Sequence, residues 1–218
     1  MAESKVLSPK QRRQRNREEM IDAIVEAARQ IMREQGVAAL NLNEIARALG
    51  MQTPSLYEYF ASKMALYDYL FRVGTRTFRD AMTRAGEGQD SAGWDQAQHY
   101  MTAYLEWSIA NPDLFKLLFE RHIPGFTPSD ESMAEMYGAL DEGRQRLEAG
   151  LSAARLDPVV TLEQARDIFI ALQHGITALH LANNPELPVG QGRFGSLIPL
   201  VIDMMRIAWE KQTKRRGS

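Results

Sequence analysis

GVAALNLNEIARALGMQTPSLYEYFASK, residues 36–63, holds two short helix signals separated by a glycine-containing turn. Asn41 suits a helix N-cap, and Glu44 follows at the spacing of a capping box. Leu40 and Ile45 take the staple positions around it. Leu42, Ile45, Ala46 and Leu49 then form one apolar face, and Gly50 supplies the left-handed stop. Met51 fits beneath the turn. Thr53 is placed to cap the second helix, with Pro54 in its first turn, where no amide hydrogen is needed. Leu56 and Phe60, four apart, point inward and leave Thr53, Ser55, Tyr57 and Glu58 facing out. A helix this short is not stable alone. Braced by its predecessor, it makes a helix-turn-helix that presents its outer side to the major groove.

Working outward, Ile21, Ile24, Val25, Ala28, Ile31 and Met32 repeat at helical spacing and predict a first helix over about 17–35. A connector helix starts at Lys63 and carries Leu66, Leu70, Val73 and Phe78 to about residue 85. Further helices are expected over about 94–110, 114–122, 131–150, from Asp157 and Pro158 to 181, and 194–213. A loop covers 123–130. No sustained strand alternation occurs, so the fold class is all-α. The division is a flexible basic arm (1–16), a helix-turn-helix domain (17–62, with the connector 63–85), and a regulatory and dimerisation body (63–218).

The 218-residue chain has no cysteine, which excludes disulfides, thiolate catalysis and Cys-based zinc sites. Its net charge of −2 hides an asymmetry. Residues 1–80 hold 13 Lys/Arg against 10 Asp/Glu, and residues 81–210 hold 9 against 18. Residues 211–218 add four basic groups and no acid. A basic end on an acidic body suits a protein that meets a polyanion with one end. With no secretory pattern and no long apolar run, a cytoplasmic protein is expected. Gly190, Gly192 and Gly195 spell GxGxxG but follow a helix rather than a strand, so no nucleotide fold is inferred. The four histidines form no HExxH and no convincing zinc pair. No cofactor, metal or enzymatic activity is expected.

The stretch from about Arg17 to Leu70 resembles the DNA-binding domain of the TetR family of bacterial transcriptional regulators. The resemblance rests on Ile45-Ala46, Leu49-Gly50, Ser55-Leu56-Tyr57-Glu58-Tyr59-Phe60, Ser62-Lys63 and Leu66. Gln52 and Pro54 depart from the family pattern, where Ser or Thr and Gly are common. Thr53, Pro54 and Ser55, with Gln52 and Tyr57 beside them, are the candidates for reading base edges. The resemblance puts Tyr59 and Lys63 on the phosphate backbone. Lys63 also opens a helix whose free amides favour a phosphate. Arg47 is a further backbone candidate, and Arg12, Arg13, Arg15 and Arg17 are candidates to lie along the duplex or enter a minor groove.

In the body, Tyr100, Tyr104, Trp107, Phe115, Phe119, Met133, Met136, Tyr137 and Phe169 are candidates to line a pocket, with Gln173 and His174 as polar handles. The last helix is apolar on more than half its circumference and needs a second partner. Leu172, Ile176, Leu179, Leu197, Val201, Met204, Met205 and Ala208 are the candidates for a four-helix dimer interface. The resemblance agrees, and it implies a homodimer on a palindromic DNA operator, released by a small-molecule effector. The apolar and aromatic body suggests an effector of the same kind. Two other readings stay open from the sequence: an all-helical small-molecule enzyme, and an architectural or interaction protein without specific DNA binding.

Overall fold

A computed structural model describes residues 8–86, 93–120, 123–154, 156–157 and 159–210. These residues form helices and turns, with one isolated bridge between Leu156 and Glu210. The helices are α1 (Pro9–Gln35), α2 (Leu42–Ala48), α3 (Thr53–Leu56), α4 (Lys63–Gly86), α5 (Trp94–Ala110), α6 (Pro112–Phe115), α7 (Asp130–Ala153), α8 (Leu162–Asn183) and α9 (Ile198–Trp209). A π-helical turn, Lys116–Glu120, continues α6.

Local sequence rules explain most of the boundaries, and where they mislead the reason is visible. α1 begins eight residues earlier than expected, so residues 9–16 are helical rather than a flexible arm. Ser8 and Gln11 close a capping box and Pro9 starts the helix, a signal as strong as any downstream. Residues 1–7 of the expected arm lie outside the described residues. At α2, Asn41 caps the amide of Asn43, but Glu44 does not close the expected box. Its carboxylate instead accepts from Gln35 at 3.5 Å. Thr53 does not cap α3; its hydroxyl bridges to Asn43 Oδ1 at 2.9 Å. α8 starts at Leu162, not near Asp157, because Thr161 and Gln164 form a complete capping box. Pro158 and the basic segment 211–218 lie outside the described residues.

α1 to α3 form the head. Ile24 and Ala28 of α1 meet Ile45, Leu56 and Phe60 in a core that continues into Leu66 and Leu70 of α4. The body is built around α4, which packs along both α5 and α7. A second core, around Met101, Leu105, Leu151, Phe169, Ile198 and Ile202, ties α5 and α7 to α8 and α9.

Two buried contacts join head to body. Tyr67 of α4 donates its hydroxyl proton to Val37 O at 2.6 Å. Burial pushes the phenol up to about 12, so it stays protonated and keeps donating. The second joint is ionic. Arg29 of α1 reaches Asp113 of α6 through Nε at 2.8 Å and Asn111 Oδ1 through Nη2 at 2.9 Å. The Asp113 side chain is wholly buried there. The start of α7 is held similarly. Asp68 accepts from the Ser129 amide and from the hydroxyls of Ser129 and Ser132. Burial pushes the Asp68 carboxyl up, but these bonds and Arg72 outweigh it and hold it below the usual carboxylate range.

Candidate DNA-reading head and effector cavity

The α3 segment is anchored from below and open above. Leu56 and Phe60 are buried, and Phe60 meets Tyr69 edge to face at 5.4 Å. Gln52, Pro54 and Tyr57 are exposed, Tyr57 at 53%, while Thr53 and Ser55 are half-buried on the same segment. The structure thus brings all five base-edge candidates onto one stretch of four helical residues and its flanks. Tyr59 is half-buried. The Arg17 guanidinium lies over its ring, 5.1 Å from the centroid, and donates two bonds of 3.2 Å to Glu58 O. Arg17 is therefore a brace between α1 and the end of the reading segment, not part of a free arm. Arg12, Arg13 and Arg15 are exposed along α1, where Arg15 pairs with Glu19 at 2.9 Å. Arg47 is exposed on α2. Lys63 opens α4 beside the Tyr67 ring, and Ser62 caps that helix by accepting from the Ala65 amide.

The body carries a half-open cavity of about 680 Å³ between α4, α5, α7 and α8. It gathers Tyr100, Tyr104, Phe119, Tyr137, Phe169, Gln173 and His174 of the pocket candidates. Four others lie elsewhere. Trp107 backs the wall through Phe78 and Phe119, and Phe115 stacks on His174 at 5.4 Å from behind. Met136 is buried against the Thr75 hydroxyl, and Met133 lines a separate cleft. Phe78 and Met82, one helical turn apart on α4, also line it, though Phe78 was expected only as connector packing and Met82 carried no local signal. The sequence reading also missed Arg144 and Arg166, which give the cavity a charged edge. Neither arginine carries spare charge. Arg144 pairs with Asp141 and Glu148, and Arg166 with Glu148, Glu163 and Asp167. Inside, the Tyr104 hydroxyl sits 3.3 Å from His174 Nδ1. Burial raises the Tyr104 phenol well above its ordinary value, so this group holds its proton and can only offer neutral hydrogen bonds.

Gly143 of α7 lines this cavity, and a Cβ built on it would meet no atom within 4 Å. A mid-helix glycine costs stability relative to alanine. Gly143→Ala is therefore expected to raise stability by about 0.5–1 kcal/mol, read as a shifted urea midpoint. The bare position keeps cavity volume that any side chain would take.

The outer faces of α8 and α9 are apolar and uncovered. Leu172 and Leu179 are exposed on α8, with Ile168 one turn before and the half-buried Gly175 between them. On α9, Met204 is 60% exposed and Ala208 is exposed beside it. Two interface candidates face the other way: Ile176 and Met205 are buried in the protomer's own core. Leu197 and Val201 are half-buried. Leu200 and Ile207, the latter 73% exposed, belong to the outer face instead. The two stripes on α9 differ by one residue in phase, and the sequence does not say which one meets the protomer's own core.

Geometry of this kind, a short helix braced from beneath and open on its outer side, set on a helical body with a large apolar cavity, defines an all-α helix-turn-helix protein. Residues 24–70 match the family model described as bacterial regulatory proteins, tetR family. The HTH-type transcriptional regulator Rv1816 of Mycobacterium tuberculosis is 31% identical over 123 residues, covering 55% of this chain and 53% of that protein. The HTH-type transcriptional regulator Mb1846 of Mycobacterium bovis matches to the same extent. The chain spans about half the length of the curated relatives it matches. Among solved structures, a protein of unknown function from Rhodococcus sp. RHA1 superposes with a TM-score of 0.71 at 19% identity, covering 88% of this chain and 96% of that one. FadR from Bacillus subtilis, solved with stearoyl-CoA, gives 0.62 at 14% identity, covering 84% and 96%. At such identities these likenesses show the fold alone. The likeness to the tetR family thus lies in the head, residues 24–70, and the solved structures share the fold of most of the chain.

No helix among the described residues is long and apolar enough to cross a membrane.

Proposed function

We propose that the chain is a sequence-specific DNA-binding transcriptional regulator: a repressor that binds a palindromic operator as a homodimer and leaves it when a small, largely apolar or aromatic ligand enters the body cavity. The observation that carries this is the reading segment itself. Leu56 and Phe60 fix it from beneath, and its outer side is left to solvent. The outward Gln52, Pro54 and Tyr57 are free to meet base edges. The regulator names of the curated relatives support the same reading. The cavity's apolar lining supports the ligand class, and the long acyl chain of the stearoyl-CoA bound by Bacillus subtilis FadR agrees with it.

Selection of bound sequences from random duplexes tests the proposal. A palindromic consensus is expected, with half-sites about one helical turn apart or slightly more. Within that assay the two classes of contact separate. Lys63→Ala should weaken consensus and random DNA alike and lower the salt slope by about one, as a lost phosphate contact does. Ser55→Ala should cost about 1–3 kcal/mol on the consensus and relax one position of it. If no duplex is preferred over random DNA at moderate salt, the regulator reading fails. If the purified chain instead turns over small molecules, the enzyme reading replaces it.

A further inference from the structure

The main cavity does not hold all the recessed apolar space in the body. A smaller cleft, of about 220 Å³, lies on its head-facing side, walled by Phe71, Leu117, Phe126 and Met133. No charged side chain is among its lining residues. One residue lines both spaces: Tyr137 of α7. Its side chain is 61% exposed. No hydrogen bond holds its hydroxyl among the described residues. Such a ring changes rotamer quickly at little cost. The two spaces thus meet at one unanchored side chain.

They also differ in chemistry. The main cavity is wide and ringed by aromatic groups, with Gln173 and the Tyr104–His174 pair as hydrogen-bonding handles. The cleft is narrow and offers hydrocarbon, with Thr127 and the shared Tyr137 hydroxyl its side-chain polar atoms. Along α7, Arg144 at the charged edge and Met133 in the cleft are 11 residues apart. At the helical rise this is about 16 Å.

We propose that the effector site is bipartite. The main cavity takes a ring-bearing body with neutral polar substituents, the cleft takes an aliphatic tail, and Tyr137 is the movable partition between them. This rests on the reading of the main cavity as the effector site. It also gives the tail a mechanical consequence. Phe126 of the cleft wall packs on Tyr67, with ring centroids 5.4 Å apart, and Tyr67 is the residue bonded to Val37 of the head. A tail in the cleft therefore presses on a wall that touches the Tyr67–Val37 joint.

Titration calorimetry with phenol, 4-butylphenol and 4-octylphenol tests the inference. In the wild-type protein affinity should climb steeply with tail length, by up to about fourfold for each methylene buried. Met133→Trp, which fills the cleft, should abolish the gain from butyl to octyl and leave phenol unchanged. Tyr137→Ala, at an exposed position that tolerates substitution, should raise the ratio of octyl to phenol affinity. Gly143→Trp, which projects into the main cavity, should abolish binding of all three. An octyl gain that is the same in wild type, Met133→Trp and Tyr137→Ala overturns the tail site while leaving the main cavity standing. Undiminished binding of all three phenols to Gly143→Trp overturns the main-cavity reading itself. Absence of heat from every phenol in the wild type overturns the ring-and-tail class. Should Met133→Trp fail to fold by circular dichroism, the Tyr137→Ala comparison decides alone.

Discussion

Arg29→Ala should destabilise the protein by about 3–5 kcal/mol, because it strips the partner from a buried carboxylate. Asp113 has no exposed side-chain surface, and Arg29 supplies it with contacts of 2.8 and 3.3 Å. The nearest replacement, Arg33 Nη1, stands 3.9 Å from Asp113 Oδ2 and is itself engaged with Glu26. Removing Arg29 also frees Asn111 Oδ1, which leaves two acceptors without their donor. The expected result is a large fall in the urea midpoint. The double replacement Arg29→Met with Asp113→Leu should recover most of that loss, since a buried ion pair swapped for hydrocarbon is often close to neutral. Recovery of stability need not restore function. The pair is the polar joint between α1 of the head and α6 of the body, and α6 runs directly into the π-helical turn that carries Phe119 to the cavity wall. The double variant should therefore fold and still couple ligand to DNA less well. If Arg29→Ala unfolds at the wild-type midpoint, the contact is not a joint.

Much of the fold was legible because local signals and core spacing agreed. The head could be read almost residue by residue: Ile45, Leu56 and Phe60 are buried as their spacing requires, and Gly50 takes a φ of 65° at the turn. The misreadings came from competition between neighbouring signals. Asp157 and Thr161 both look like caps, and only the second has a glutamine three residues on. Thr53 could cap α3, but Asn43 lies within its reach in space, which no linear spacing reveals. The cavity was legible in composition and not in membership. Its aromatic groups are too common in cores for any one of them to announce a pocket. Phe78, Met82, Arg144 and Arg166 join it only because α4, α7 and α8 diverge there, and that divergence is a tertiary fact. Arg29 and Asp113 are 84 residues apart, and nothing local marks either as a joint.

The outer faces of α8 and α9 support the second large expectation. Ile168, Leu172, Gly175 and Leu179 fall at i, i+4, i+7 and i+11 on one side of α8, and Leu200, Met204 and Ile207 at i, i+4 and i+7 on α9. Two copies packed through this pair would bury both stripes in a four-helix interface, and the bare Gly175 would permit close approach at its centre. Leu172→Glu combined with Met204→Glu should leave the protomer folded, since both positions are exposed, and should give a monomer by light scattering. Operator affinity should fall by about 10²–10⁴-fold, because the second half-site is no longer presented at high local concentration. Gly175→Leu provides an independent variant. A Cβ there meets no atom of its own chain within 4 Å, so the monomer has room for it, while a facing copy would not. Loss of the dimer in both variants with circular dichroism unchanged places the interface on this stripe. An unaltered dimer mass in both would move the interface elsewhere, and the inward-facing Ile176 and Met205 could not supply it without unfolding the core they occupy.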